Sequence, residues 1–310
     1  MNEARMAGDD KPLAPGLYIV ATPIGNLNDI TLRALDVLKR VDRIACEDTR
    51  QTQKLLNHFD IATPTISCHE HNERERAAEL IGALRDGGRI ALVSDAGTPA
   101  VSDPGHWLVA QAIAADVPVI PIPGANAAIC ALVASGLPSA EFQFVGFLPE
   151  KAGARRTRIE NLLAETEAAE TQRTLVFYEA PHRILLTLAD LESVWGGERR
   201  IVLARELTKI HEEFVRGTVA EVRHVLVGRG QIRGEITLLI EALPRPESSA
   251  IDESPESVSA AVARIQAEAG IDEKEALKRL ARERGQSKSE LYRELQRQRA
   301  RRENRTNRVP

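Results

Sequence analysis

Several short runs in this chain combine acids, hydroxyls, histidines and arginines with turn-forming residues. EDTR (47–50) holds two carboxylates, a hydroxyl and a guanidinium, a set able to grip a polar substrate. HEHNERER (69–76) brings two histidines, but an H-x-H pair without a third ligand does not argue for a metal. A loop histidine such as His69 or His71 suits contact with a nucleic-acid phosphate or simple solvation. SDAGTPAVSDPG (94–105) is the densest run, with two Gly, two Pro, two Asp, two Ser and a Thr in twelve residues. Gly97 and Gly105 let a ligand approach the backbone, and Asp95 and Asp103 suit hydroxyls or a cation. FYEAPHRI (177–184) ends an apolar run in Glu179 and places Pro181 where a helix would begin. ATPIGNLNDIT (21–31) and PIPGANAAICALVASG (121–136) are Pro/Gly turns, the first with Asn28 or Asp29 as cap of the following helix and the second leading into an Ala-rich helix.

These runs sit after strand-like segments. LYIVA (17–21), RIACE (43–47), TISC (65–68), RIALVS (89–94) and VPVIPI (117–122) are short, apolar and rich in β-branched residues, as strands buried on both faces are. The intervening segments have helical periodicity; in 72–88, Ala77, Leu80, Ile81 and Leu84 share a face and Gly87 and Gly88 end it. FQFVGF (142–147), TLVFYE (174–179), RIVLARE (200–206) and EITLLIEA (235–242) form a second series, with helical patterns at 155–169 and 181–194. Strand–helix alternation predicts α/β lobes, and ligands of such sheets bind at strand carboxyl ends, where the polar runs lie.

The expected organisation is a disordered N-terminal tail at 1–15, an α/β lobe at 16–123, a second at 124–242, a Pro/Ser/acid linker at 243–257 and a helical appendage at 258–310. Within the appendage, Asp272 with Glu275 and Ser287 with Glu290 fit the capping-box spacing, and Gly285 would close the middle helix. The 310 residues carry a net charge of −4, unevenly: 271–310 hold 13 Lys/Arg against 7 Asp/Glu, and the rest is acidic. A basic tail on an acidic body fits a polyanionic partner and equally a solvated helix surface. Three cysteines without a CxxC pair give no support for dithiol or zinc chemistry. No apolar run approaches the ~18 residues that span a membrane. The N-terminus lacks a signal segment, so a cytoplasmic location is expected. P-loop, GxGxxG, HExxH and GxSxG signatures are missing.

LYIVATPIGNLNDIT, EDTR, ALVSDAGTP with SDPG, PGANAA, GFLP (146–149), TLVFYEAPHR and LARELTK (203–209) follow one another in this order. Together they resemble the tetrapyrrole-methylase superfamily of S-adenosylmethionine (SAM)-dependent methyltransferases, and within it the ribosomal RNA small subunit methyltransferase I family. The resemblance covers about residues 16–241 and extends loosely over the tail. It implies two α/β lobes with a cofactor cleft between them and a small C-terminal helical appendage. It further implies a homodimer, no metal, and 2′-O-methylation of a cytidine ribose in small-subunit ribosomal RNA or the 30S particle. A tetrapyrrole C-methyltransferase and a non-catalytic RNA-binding or assembly protein are the rival readings.

For that reaction the sulfonium donor carries its own electrophile, and the protein chiefly supplies position. The residues expected at the donor are Pro23, Gly25, Asp95, Gly97, Ser102, Ala125 and Ala128, with Tyr178, Glu179 and Ala180 from the second lobe. Asp48, Glu47 and His69 are the candidate bases for the weakly nucleophilic ribose hydroxyl, the acidic pair first. Arg50 and Arg183 would hold phosphate. With 4% aromatic residues, a broad base-stacking platform is not expected.

Overall fold

The computed structural model describes residues 13–69, 72–168 and 172–242, and beyond them 258, 261–262, 265–266, 270–284, 291–292 and 295. The chain divides into two compact units, Met1–Pro244 and Arg245–Pro310.

In the first unit, β1 (Gly16–Val20), β2 (Arg43–Cys46), β3 (Thr65–Ser67), β4 (Arg89–Val93) and β5 (Val119–Ile122) form one sheet in the order β3-β2-β4-β1-β5. Every pairing in it is parallel, as the near-continuous apolar strands predict. Helices α1 (Leu32–Arg40), α2 (Thr49–His58), α3 (Glu73–Arg85) and α4 (His106–Ala114) make the crossovers. Two cores result, one holding Leu38, Ile44 and Leu56 and the other Leu17, Leu80 and Leu108. A parallel sheet reached through helices points all its strand ends one way, so the loops after β1, β2 and β4 share one edge.

The helix caps differ from expectation in two places. Thr31 caps α1, its hydroxyl accepting from the Ala34 N–H at 3.1 Å, rather than Asn28 or Asp29, which lie in a short 3-10 turn begun by Asn26. Pro181 lies in a turn, and the helix after it, α7 (Ile184–Trp195), starts three residues later.

The second sheet departs from simple alternation. It contains β6 (Phe142–Phe147), β7 (Arg173–Glu179), β8 (Arg200–Arg205), β9 (Glu213–Thr218) and β10 (Ile236–Ala242) in the order β6-β7-β10-β8-β9. Only β6 and β7 pair in parallel; β7–β10, β10–β8 and β8–β9 are antiparallel. β9 has no counterpart among the expected strands, because an edge strand reading EFVRGT is partly exposed and carries little apolar signal. Helices α5 (Ala127–Ser135), α6 (Ala152–Glu167), α7 and α8 (Val219–Val227) cover this sheet. The core of Ile24, Ala131, Leu132, Val176, Leu207 and Leu239 joins the first loop of the parallel sheet to the face of the mixed one.

In the second unit Val258, Ala261, Val262, Ile265, Leu277, Leu280, Leu291 and Leu295 form a small core, and α9 spans Glu273–Arg284. The Asp272 carboxylate accepts from the Glu275 N–H at 2.8 Å, half of the expected capping box. The Ser287–Glu290 pair, Gly285 and the 243–257 linker lie outside the described residues.

Candidate active site

Two adjoining cavities open where the parallel sheet's strand ends meet the mixed sheet. The first, about 350 Å³, has Ile24, Gly97, Ser102, Asp103 and Asn126 on one side and Phe147, Tyr178, Ala180, Leu207 and Thr237 on the other. The second, about 480 Å³, is bounded by Pro23, Gly25, Gln51, Lys54, Asp95 and Lys209. Ile24, Ala96 and Glu235 border both. Each falls in the ~300–1,000 Å³ range of small-molecule sites.

The walls are held by backbone pairing. Thr22 and Gly97 exchange N–H···O bonds of 2.9 and 3.1 Å, tying the loop after β1 to the loop after β4. Gly97 has φ +85°, where a side chain would be strained, and a Cβ there would stand 3.2 Å from Ile24 Cγ2. Ala100 and Ser102 adopt left-handed φ values of 65° and 59° without being glycine. Asn126 caps α5, accepting from the Ile129 N–H at 3.2 Å and donating to Thr98 Oγ1 at 3.3 Å. The loop after β8 reaches across: Thr208 Oγ1 accepts from the Asn26 N–H at 3.0 Å, and a Cβ on Gly25 would lie 2.5 Å from Lys209 Cγ. Lys209 pairs with Glu206 at 2.9 Å and Glu235 at 3.2 Å. The sequence signal for this crossing is LARELTK, which turns polar at the end of a buried strand.

Asp103 lines the first cavity and is not among the expected bases. Burial pushes its carboxyl up to about 6, and the nearby negative charges of Glu47 and Asp95 add to the rise, while the Ser94 hydroxyl acts against it. A carboxylate titrating near neutrality inside a cavity has the properties of a general base. The three expected bases are placed differently. Glu47 lies close enough to act on Asp103 through its charge. Asp48 is the N-cap of α2, accepting from the Arg50 N–H at 2.8 Å and from the Arg50 guanidinium at 3.1 and 2.9 Å. Those bonds hold its pKa down to about 2, so it is a feeble proton acceptor near neutral pH. His69 lies four residues before α3, its backbone N–H donating to Asn72 Oδ1 at 2.8 Å, and it lines neither cavity.

Of the expected cofactor contacts, Pro23, Gly25 and Asp95 line the second cavity, and Gly97, Ser102, Tyr178, Glu179 and Ala180 the first. Ala125 stands behind the wall, its carbonyl accepting from Thr98 Oγ1 at 3.2 Å. Ala128, in α5, is 4% exposed and packs into the core between that helix and the mixed sheet, lining neither cavity. Glu179 touches the cavity, but its carboxylate serves the fold. It accepts from the Arg183 guanidinium, from the Ala180 N–H at 2.7 Å and from the Thr187 hydroxyl at 2.6 Å. Arg183 is buried, bound to Glu179 and to the Leu148 carbonyl at 3.0 Å. Arg50 is exposed, its side chain 87% accessible, beside the carboxyl end of the parallel sheet.

The tetrapyrrole (corrin/porphyrin) methylase family matches residues 16–223. Ribosomal RNA small subunit methyltransferase I of Halalkalibacterium halodurans is 54% identical over 73% of this chain and 75% of its own. The chain belongs to that family. Its relative of the same name in Haemophilus influenzae is 50% identical over 79% of this chain and 84% of its own. A solved cobalt precorrin-4 methyltransferase shares the fold, at TM-score 0.52 and 17% identity over 72% of this chain and 93% of its own. The family is one of SAM-dependent methyltransferases, and the chain is a member of it on both counts.

The cavities fit that donor. Tyr178 stacks edge-on against Phe144 and Phe147 at 5.0 and 5.7 Å, giving an aromatic wall for a flat base. Asp95, Asp103 and Glu235 supply negative charge suited to a sulfonium and an ammonium group. Among the described residues no His/Cys/Asp/Glu group is arranged to hold a metal, and no helix is long and apolar enough to cross a membrane.

Proposed function

We propose that this chain transfers the methyl group of SAM to the ribose 2′-hydroxyl of a cytidine in small-subunit ribosomal RNA, in the cytoplasm, on naked RNA or the 30S particle. The observation that supports the reading is Asp103, a half-buried carboxylate in the wall of a cavity that it shares with the Gly97–Ser102 turn, Phe147 and Tyr178. Bound there, the donor would supply a methyl electrophile whose departing group is a neutral thioether.

The chain's own residues then have three tasks. The turns at Pro23–Gly25 and Gly97–Ser102 and the Tyr178–Ala180 segment fix the donor, since an in-line displacement depends above all on orientation. Asp103 Oδ accepts the proton of the attacking hydroxyl, and burial, with Glu47 and Asp95 nearby, keeps its proton affinity high enough to do so. Arg50, exposed and always charged, meets a phosphate beside the target nucleotide.

The lobes are assigned to 16–123 and 124–242 and the basic appendage to 258–310, which adds sequence-independent, salt-sensitive affinity for RNA. Two copies pair through apolar side chains left in solvent on α5 and the edge strand β6: Ile129 is 43% exposed, Val133 74% and Phe142 45%. Sedimentation of Val133→Glu against the parent chain tests the pairing, the variant running as a monomer.

The deciding experiment incubates the protein with labelled SAM and, in parallel, 30S particles, naked rRNA and a porphyrinoid. Label recovered as 2′-O-methylcytidine is the expected result. Label confined to the porphyrinoid overturns the reading, and so does calorimetry showing no SAM binding.

A further inference from the structure

A groove between α3 and α4 lies outside the cavities described above. Its volume is about 460 Å³, with Arg74, Ile81, Arg85, Trp107, Gln111 and Ala114 among its walls. Its upper end is locked by one carboxylate: Glu73 Oε1 accepts from the Gly105 N–H at 3.0 Å and the Leu108 N–H at 3.1 Å, so the first turns of both helices are held together. Arg74 and Trp107, each the second residue of its helix, meet there, with the guanidinium carbon 5.3 Å from the ring centroid. The chain has two tryptophans. Trp195 is buried and donates to the Ile159 carbonyl at 3.1 Å, whereas Trp107 is 40% exposed on a surface with little other aromatic material.

The groove also has a consistent charge. Arg74 and Arg85 are exposed and, among the described residues, neither is ion-paired. The nearby Glu79 is already bound by Arg43 at 3.1 Å and Arg76 at 2.6 Å. A Cβ added to Gly82 would meet nothing within 4 Å, so the floor is open. Asp103, on the cavity wall, stands two residues before Gly105, so the chain runs directly from the candidate active site into the first turn of α4.

We infer that this groove binds single-stranded RNA flanking the methylated nucleotide, with a base stacked on Trp107 and phosphates met by Arg74 and Arg85. The inference rests on the RNA reading above and gives it a second contact site. An indole face accepts any base, and a guanidinium keeps its charge at all accessible pH, so the pairing suits a strand held loosely with respect to sequence. A helix from a protein partner would need a broad apolar face, and beyond Trp107 this groove offers only Ile81 and alanines as apolar side chains.

The test titrates the full chain's tryptophan fluorescence with a short single-stranded oligoribonucleotide, alongside SAM calorimetry and methyl transfer to 30S particles. The oligonucleotide should quench Trp107 emission. Trp107→Ala should lose the quench and bind RNA roughly ten- to a hundredfold more weakly. Trp107→Phe should recover most of that affinity. Arg74→Ala/Arg85→Ala should reduce the slope of log affinity against log salt by roughly 1.4. SAM affinity should be unchanged in all three. Unaltered RNA affinity in Trp107→Ala, together with an unaltered salt slope in the arginine variant, would overturn the groove. A parent chain that binds the oligonucleotide through Trp107 yet methylates no rRNA would overturn only the methylation reading.

Discussion

The loop Ser94–Gly105 and the stretch Glu179–Thr187 both set carboxylates and hydroxyls just past the carboxyl end of a buried strand, and both border the same cavity. In the first, Asp103 keeps a carboxylate facing the cavity, its pKa raised by burial and by Glu47 and Asp95. In the second, Glu179 is 3% exposed and every contact it makes is internal, to Arg183, Thr187 and the Ala180 N–H. The difference lies in the neighbours. An arginine four residues on, brought round by a turn, neutralises Glu179 and is itself buried by the exchange. Asp103 is half-buried with the like charges of Glu47 and Asp95 nearby and only the Ser94 hydroxyl to offset them, so its proton stays negotiable. Polar residues at a strand end are therefore candidates for chemistry only when nothing in the fold has already claimed them.

The sharpest way to break this comparison is Asp103→Asn. Methyl transfer should fall by about 10²–10⁴ while SAM affinity holds. In the parent chain the rate should rise with pH through about 6, as the carboxyl loses its proton, and the variant should lose that limb. The sign for stability is opposite to the usual carboxylate. A folded-state pKa raised to about 6 means that stability is fullest below the ordinary carboxylate range and is lost as pH rises through 6. Asp103→Asn should thus be no less stable than the parent at pH 8 in a urea titration; a marked loss would mean that Asp103 serves the fold, as Glu179 does.

Glu179→Ala should do the reverse. It strands a buried guanidinium and should cost about 3–5 kcal/mol in the same titration. Glu179→Ala/Arg183→Met should recover part of that loss, which a catalytic role for Glu179 would not predict. Gly97→Ala forces a side chain into a left-handed backbone at about 1–2 kcal/mol and crowds Ile24. Calorimetry should show SAM affinity roughly tenfold weaker, if that strain is met in the bound state. Asp48→Asn should do least. Asparagine caps a helix about as well, so stability should stay within about 0.5 kcal/mol and the rate near that of the parent. A large rate loss there would restore Asp48 as the base.

Much of the parallel sheet could be read from the chain because its strands are buried on both faces. LYIVA, RIACE and RIALVS are mostly apolar and are separated by helices of clear period. β9 could not be read, since an edge strand needs few apolar residues and takes its register from β8. The turn positions at Pro23, Gly25 and Gly97 were legible for a related reason: backbone that must bend sharply or approach a ligand calls for Gly and Pro whatever the surroundings. The side chains were less so. Asp48, Asp103, Glu179 and Arg183 are all polar residues next to turns, and their types do not distinguish an N-cap, a base and a buried ion pair.

What the sequence alone determined is the family, the strand-and-helix series and the turns that border the cavity, all of which depend on local pattern and backbone freedom. Only the tertiary structure decided which acid remains open to chemistry. Proton affinity is set by burial and by charges brought near from elsewhere: Asp103 is tuned by Glu47, 56 positions away in the chain, and Lys209 reaches the first loop only because the two sheets pack together.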